Sequence, residues 1–334
     1  MKKTLFFALM ALAGLASCTE DEAEDFSLGR PIEFHAEVSR ATETMTANIT
    51  SATVYAYQGS NVFFGKTAFT GSNTGLVSDN KYYWPVSNAT LTFLAFNPDP
   101  TTLGGTLTVN NTTQTLTGYT SPGSDSQKDI CFVKATGTRQ NNMNDGLGLT
   151  FNHMTSEVII QAKNTKAAGR TVTIDSVALV NIKSVGDLNF ATGAWSNVVT
   201  EKTFNKKISA VTVTDANAKN LLGAMFHIPQ PVTAWTGSAD KANSKKGAYV
   251  LLRLNIKQGA TQIYPSSGNG TVAIPISGNW ERGKKYTYVL DFATGAGVKP
   301  PNATTGGDAT IGAPIKFTCT VTPITGGTVT PPTL

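Results

Sequence analysis

Apolar and polar residues alternate along most of the chain beyond residue 30. The clearest stretches are residues 53–57, 90–96, 157–161, 171–174, 249–256 and 286–292. A period of two is typical of strands buried on one face, because successive side chains point to opposite sides of a sheet. Only residues 216–222 show a weak helical period. The pattern therefore predicts an all-β protein built from sandwiches.

Clusters of turn-forming residues separate these stretches, and they divide the chain into parts. Residues 140–148 are rich in asparagine and glycine, and they predict a boundary between two sandwiches. Residues 293–314 hold little that could be buried, which predicts a flexible linker. A further alternating stretch, residues 315–321, follows this linker. A strand carried beyond a flexible linker needs a partner sheet.

The composition is that of an extracellular β protein. The chain has 334 residues, enough for two domains, and only 15% of them are charged, against about 25% in average soluble proteins. The net charge of +5 is spread thinly, which argues against a nucleic-acid partner. Three cysteines and three histidines do not supply a disulfide framework or a clustered metal site. We therefore expect no metal and no cofactor.

The N-terminus has the features of a targeting segment. Lys2 and Lys3 precede an apolar run over residues 5–12, which is too short to be a permanent membrane span. The residues up to Cys18, with the sequence Leu-Ala-Ser-Cys, resemble the lipobox of bacterial lipoproteins. This predicts removal of residues 1–17 and lipidation of Cys18, which would anchor the precursor in the outer membrane. An ordinary signal peptide with an incidental cysteine is the alternative.

Two segments near opposite ends of the chain share one pattern, Ile-x-Phe-x-small-x-Val. The first set is Ile32, Phe34, Ala36 and Val38, and the second is Ile315, Phe317, Cys319 and Val321. A groove that accepts one set of side chains should accept the other, because alternation fixes the inward face and main-chain hydrogen bonds do not depend on sequence. A chance match between two amphipathic strands is the alternative.

A basic residue lies two positions after the first of these strands. Arg40 stands between the strand and the polar residues 41–51, which begin with Ala41. A cut between Arg40 and Ala41 would release the first strand and leave its groove empty. An isolated arginine in a loop usually has no special role, so the prediction rests on its position after the repeated pattern.

Five short motifs give the chain a family resemblance. They are Tyr82-Tyr83-Trp84-Pro85, Phe93-Leu94-Ala95-Phe96-Asn97-Pro98, Phe151-Asn152-His153-Met154, Ile228-Pro229-Gln230 and Trp280-x-x-Gly283-x-x-Tyr286-x-Tyr288. With Cys18 and Arg40-Ala41, they resemble the fimbrillin family, the shaft and accessory pilins of type V pili of Bacteroidia.

The resemblance implies a fold and a domain order. The fold is two transthyretin-like β-sandwich domains in tandem, with an N-terminal strand and a C-terminal donor strand. The expected parts are the signal peptide (1–17), the tether and removable first strand (18–40), the N-terminal sandwich (41–147), the C-terminal sandwich (148–292), the linker (293–314) and the donor-strand segment (315–334).

The resemblance also implies a function. An Arg-specific surface protease would cleave after Arg40, and the C-terminal strand of another pilin subunit would replace the first strand. The product would be a cell-surface fimbrium that supports adhesion and biofilm formation, with a host or bacterial surface receptor as a further partner. Having both a donor strand and a cleavable arginine favours a stalk subunit. The alternative is a monomeric surface lipoprotein that binds glycans, or a pilus anchor or tip without processing.

No segment predicts catalytic chemistry, so we expect a protein that is not an enzyme. His35, His153 and His227 have no ligand spacing, and the latter two are expected to be packed histidines. Cys131 and Cys319 are expected to be buried free thiols, with a disulfide between them as the alternative. Four tryptophans could stack on a sugar, but core packing is favoured. Ser176 lies in an Asp-Ser-Val sequence that resembles a short O-glycosylation site.

Overall fold

The structure is a computed structural model of the chain, and it describes residues 29–38, 49–72, 74–166, 169–236, 246–301 and 316–324. The predicted lipidation site Cys18, the predicted cleavage site Arg40-Ala41 and Ile315 lie outside these ranges. So does the side chain of Val38.

Strands make up almost all of the regular structure in the described ranges. In chain order they are β1 (Phe34–Val38), β2 (Ser51–Gln58), β3 (Asn61–Ser72), β4 (Gly75–Val77), β5 (Leu91–Asn97), β6 (Thr106–Val109), β7 (Gln114–Thr120), β8 (Cys131–Gly137), β9 (Leu147–His153), β10 (Ser156–Lys163), β11 (Arg170–Asn189), β12 (Ala194–Val213), β13 (Lys219–His227), β14 (Gln230–Val232), β15 (Tyr249–Gln258), β16 (Thr261–Tyr264), β17 (Gly270–Pro275), β18 (Gly278–Trp280), β19 (Lys284–Asp291) and β20 (Lys316–Pro323). Helical structure is limited there to α1 (Arg139–Asn142) and a 3₁₀ turn at Pro100–Thr102. The all-β prediction is confirmed. None of the helices in these ranges has the length and apolar character that crossing a membrane requires.

The first seven-stranded sheet closes on itself in the order β1-β4-β3-β2-β5-β8-β9. The closing contact is a parallel pairing between β1 and β9. All other neighbouring strands of this sheet pair antiparallel. Inward side chains fill its interior, and aromatic rings such as Phe34, Phe69 and Phe93 meet at its centre. We call this unit the closed sheet.

The second half of the chain, joined by the earlier strands β6 and β7, forms two sheets that pack face to face. One runs β13-β10-β19-β20, and the other runs β16-β15-β11-β7-β6, with β12 also paired to β11 and β17 to β15. Side chains from both sheets share one large buried cluster, which includes Ile160 of β10, Ile174 of β11 and Tyr288 of β19. A third cluster joins the closed sheet to β7 and β11, and there Phe96 lies 5.0 Å from Phe190 between ring centroids.

The structure differs from the sequence-based expectations in four places. The closed sheet continues through β9, beyond the expected boundary at residue 147. The hairpin β6–β7, from the expected N-terminal sandwich, pairs with β11 of the other half. Residues 293–301, expected to be linker, pack on the second half, where Ala296 is fully buried and Val298 bridges to Ala273. Finally, most of the weakly helical stretch 216–222 lies in β13, because pairing with β10 outweighs local preference.

Candidate functional site

β1 occupies the gap between β4 and β9, a position that we call the β1 slot. It pairs in parallel with β9 over five registered positions, from Phe34 beside Leu147 to Val38 beside Phe151. Its pairing with β4 has one registered position, Phe34 beside Leu76. Just before the strand, the Ile32 amide donates to the Tyr82 carbonyl at 2.7 Å. β1 is therefore held by a long ladder on one side and a short one on the other.

The inward side chains of β1 belong to the core of the closed sheet. Ile32, Phe34 and Ala36 are all buried, as the alternation predicts. The Phe34 ring contacts Phe69 and Phe93 edge-on, with centroid distances of 4.8 and 5.1 Å. Burial of these side chains stabilises the fold through the removal of apolar surface from water. The strand that the sequence marks as removable is thus part of the core.

Replacing Phe34 with alanine should destabilise the unprocessed chain strongly. The fully buried ring would leave a cavity, and such changes cost about 3–5 kcal/mol. The free energy of unfolding in urea measures this loss. His35→Ala on the opposite face is the matched control and should cost about 1 kcal/mol, since it removes the hydrogen-bonded contact between the His35 ring and the Asp145 carbonyl. Equal losses for the two variants would contradict this placement of Phe34.

The C-terminal strand β20 is docked on its own chain. It lies at the edge of the four-stranded sheet and pairs antiparallel with β19 over eight positions, from Lys316 beside Asp291 to Pro323 beside Lys284. Beyond the strand, the Ile324 amide donates to the Gly283 carbonyl at 2.8 Å. A single copy of the chain therefore provides a resting place for this strand.

The side chains of β20 are buried much less than those of β1. Phe317 and Cys319 are only partly buried, against Tyr288, whose ring centroid lies 5.9 Å from that of Phe317. Val321, on the same face, is 53% exposed. The buried anchor of this segment is Ile324, which sequence analysis missed because it breaks the alternation after Pro323. Burial of Val321 in another sheet stays a prediction.

The other predicted residues do not join these strands in one site. Cys131 and Cys319 form no disulfide with each other and lie in different sheets. Burial and the neighbouring Asp129 raise the pKa of the Cys131 thiol well above its usual value, so the thiol is protonated and a poor nucleophile. Ser176 lies in β11, where its hydroxyl contacts the Asn205 side chain at 3.4 Å, and its glycosylation stays a prediction.

The four tryptophans are spread over different parts of the structure. Trp84, Trp235 and Trp280 are buried in three separate clusters. Trp195 packs at the junction with the closed sheet, and its indole N–H donates to the Met154 carbonyl at 2.6 Å. They therefore form no shared platform for a sugar, and core packing is their role.

His227 is a fully buried histidine whose two ring nitrogens have no hydrogen-bond partner among the residues that the structure describes. Its ring lies between Phe204 and Trp280, with centroid distances of 4.7 and 5.3 Å. Burial penalises the charged imidazolium and lowers the pKa of His227 to about 3. The packed role expected for this residue agrees with these contacts.

The buried His227 should make the fold less stable in acid. Between pH 6.5 and about 3 the unfolded chain binds a proton that the folded chain does not, so stability rises with pH and is lost on acidification. The loss from pH 6.5 to 4 should be roughly 3 kcal/mol. Urea unfolding at several pH values should show this slope reduced in His227→Phe, whose ring can fill the same stack. Parallel pH profiles for the two proteins would contradict the expectation.

Comparison with known proteins assigns the chain to a family. A family model described as Fimbrillin-like matches residues 24–314. The chain belongs to the fimbrillin-like family. This is a family of structural pilins and not of enzymes, and it implies a place in a fimbrium at the cell surface. A search of curated proteins found no match.

The fold of this fimbrillin-like chain also occurs in solved structures. A fimbrial protein from Bacteroides vulgatus superposes with a TM-score of 0.56 at 17% identity, over 88% of this chain and 99% of that one. A structure described as that of a candidate cell adhesion protein from Bacteroides uniformis gives a TM-score of 0.50 at 15% identity, over 88% and 97% of the two chains. At these identities the likeness shows the fold alone.

Proposed function

We propose that this fimbrillin-like protein is a stalk subunit of a surface fimbrium, and that it polymerises by strand replacement. Proteolysis after Arg40 would free β1 from the rest of the chain. The C-terminal strand of a second copy would then fill the β1 slot. The resulting polymer would serve adhesion and biofilm formation.

The difference in burial between β1 and β20 carries this proposal. Phe34 and Ala36 in the β1 slot are fully buried, whereas Phe317 and Cys319 on β19 are half-buried and Val321 is exposed. Moving the C-terminal strand into an empty slot would therefore remove additional apolar surface from water. Complete burial of the four apolar side chains contributes roughly 6–12 kcal/mol relative to water before ordering costs. The gain on exchange is smaller, because Phe317 and Cys319 already bury part of their surface on β19. The exchange is thus favourable only after β1 has left.

The side-chain match supports the same exchange. Phe317 would take the place of Phe34 between Phe69 and Phe93, and Cys319 would take that of Ala36. Cysteine is only one sulfur atom larger than alanine, so the slot needs little adjustment. Once β1 has left, the backbone ladder of β9 would accept any strand with the right alternation.

The proposed route to the surface uses the N-terminal segment. Lipidation of Cys18 would hold the precursor at the outer membrane until an Arg-specific protease releases the subunit. Other pilin subunits are the main partners, and the receptor that a finished fimbrium binds is a further one. The net charge of the chain, +5, includes no basic block that suits nucleic acid.

The deciding measurement is the intact mass and N-terminal residue of the protein sheared from its native cell surface. A chain that begins at Ala41 and runs in large assemblies is the expected result. An acylated Cys18 on a monomer would overturn the proposal and would favour an anchor or a glycan-binding lipoprotein.

A further inference from the structure

Asp129, Cys131 and His153 bring three different metal-binding groups together where the closed sheet meets the second half of the chain. Cys131 begins β8, His153 ends β9, and the two residues are directly paired across the strands. Asp129 lies two residues before Cys131, so its carboxylate reaches the same point. The candidate ligand atoms all lie within 4.8 Å of one another. We call these three residues the junction trio.

One distance within the junction trio already matches tetrahedral coordination, and a second is slightly shorter. The Cys131 sulfur lies 3.7 Å from His153 Nδ1 and 3.3 Å from Asp129 Oδ2. Around a tetrahedral Zn²⁺ ion, a sulfur ligand and a nitrogen or oxygen ligand are about 3.5–3.7 Å apart. His153 Nδ1 and Asp129 Oδ2 are in direct hydrogen-bond contact, and they would move apart as the proton between them leaves to solvent and the ion takes its place.

The surroundings of the trio also suit an ion. The Thr155 hydroxyl donates to Asp129 Oδ1 at 2.7 Å, which leaves Oδ2 facing Cys131 and His153. Such outer contacts orient the ligands of a metal site. The side chain of His153 is 5% exposed and that of Asp129 is 21% exposed, so the trio is sheltered with one side open. That open side can admit the ion and a water molecule as fourth ligand.

We propose that the junction trio binds one Zn²⁺ ion. On binding, the ion would displace the proton of the Cys131 thiol into solvent. The resulting thiolate with an imidazole favours this borderline-soft cation over Mg²⁺ or Ca²⁺, which prefer oxygen ligands. The ion would tie β8 to β9 at the point where the chain passes into β10. No ligand spacing is visible in the sequence, because the pairing of β8 with β9 is what brings Cys131 to His153.

Cobalt provides the test, because a cobalt–thiolate bond gives a charge-transfer absorption band. The starting protein is the untagged full chain with Cys18→Ser and Cys319→Ser, in which Cys131 is the sole thiol. After dialysis against a chelator, it should bind one equivalent of Co²⁺ with that band, and Zn²⁺ should displace it. Adding Cys131→Ser should remove the band. Absence of saturable binding of one equivalent, or a band that persists without Cys131, would overturn the proposal.

A second variant keeps the test decisive if the loss of Cys131 impairs folding. Asp129→Asn preserves the size of the side chain, and it should weaken Zn²⁺ binding at least about tenfold. Zn²⁺ should raise the melting temperature of the starting protein and leave that of Asp129→Asn almost unchanged. Asp125→Asn is the matched control, since Asp125 is exposed and pairs with Lys206 at 2.9 Å. Equal Zn²⁺ affinities for the two variants would mean that the trio is only a hydrogen-bonded cluster.

Discussion

Replacing Arg40 with alanine is expected to abolish polymer formation and to leave a folded precursor. Without the cut, β1 stays covalently attached beside its slot, where Ile32, Phe34 and Ala36 are buried. A tethered strand has a high effective concentration, so a strand from another copy cannot compete with it. Surface material analysed on a denaturing gel without heating should show ladders for the native sequence and monomers for Arg40→Ala.

A second arginine supplies the control for this experiment. Arg30 is exposed and precedes β1, so a cut at that position would leave β1 attached to the rest of the chain. Arg30→Ala should therefore polymerise normally. Ladders from Arg40→Ala whose subunits retain residues 31–40 would show that β1 need not leave, and the proposed exchange would be wrong.

Replacing Phe317 with aspartate is expected to prevent donation of the C-terminal strand. In the β1 slot, the charge would face Phe69 and Phe93 with no partner of opposite sign among the aromatic rings that line it. Burial of an unpaired charge costs several kcal/mol, and about 4 kcal/mol would weaken association close to a thousandfold. Polymer yield after processing is the measurement. The monomer should stay folded, because β20 is only an edge strand.

A matched variant at the next residue tests whether the added charge alone, rather than its burial in the slot, prevents assembly. Thr318 is exposed on the opposite face of β20, so Thr318→Asp adds the same charge where water remains. It should assemble nearly as well as the native chain. If the two variants assemble equally, the face of the strand that carries Phe317 does not enter the slot.

Mixing the two defective subunits gives the most direct test of strand exchange. Arg40→Ala retains a functional C-terminal strand but has a filled slot, whereas processed Phe317→Asp has an open slot but no functional strand. A mixture of the two should produce dimers and nothing longer. Longer polymers from this mixture would contradict a junction made of one slot and one strand.

Sequence patterns located individual strands well where one face is buried. The alternating residues 249–256 and 157–161 correspond to β15 and β10 within a few positions. β12 gave no such signal, because most of its side chains are exposed on the ribbon that it forms with β11. Local periodicity reports burial, so a strand whose side chains are mostly exposed leaves little trace in the sequence.

The other features that the sequence did not predict are pairings between segments that lie far apart in the chain. The inward residues of β1 were evident from alternation, but its parallel partner β9 lies more than 100 residues away. For the same reason, the sequence did not predict that β20 pairs with β19 or that Ile324 is buried beyond it. Register between remote strands depends on the complete sheet, and single segments do not encode it.

The β1 slot and the C-terminal strand lie in different sheets of the chain, and this separation has a consequence for symmetry. A contact that joins one surface of a subunit to a different surface of the next is heterologous, and it continues indefinitely unless the rotation between copies closes a ring. Every subunit in such a fibre would point in the same direction. The fibre would therefore have a polarity, with a vacant groove at one end and an unused strand at the other.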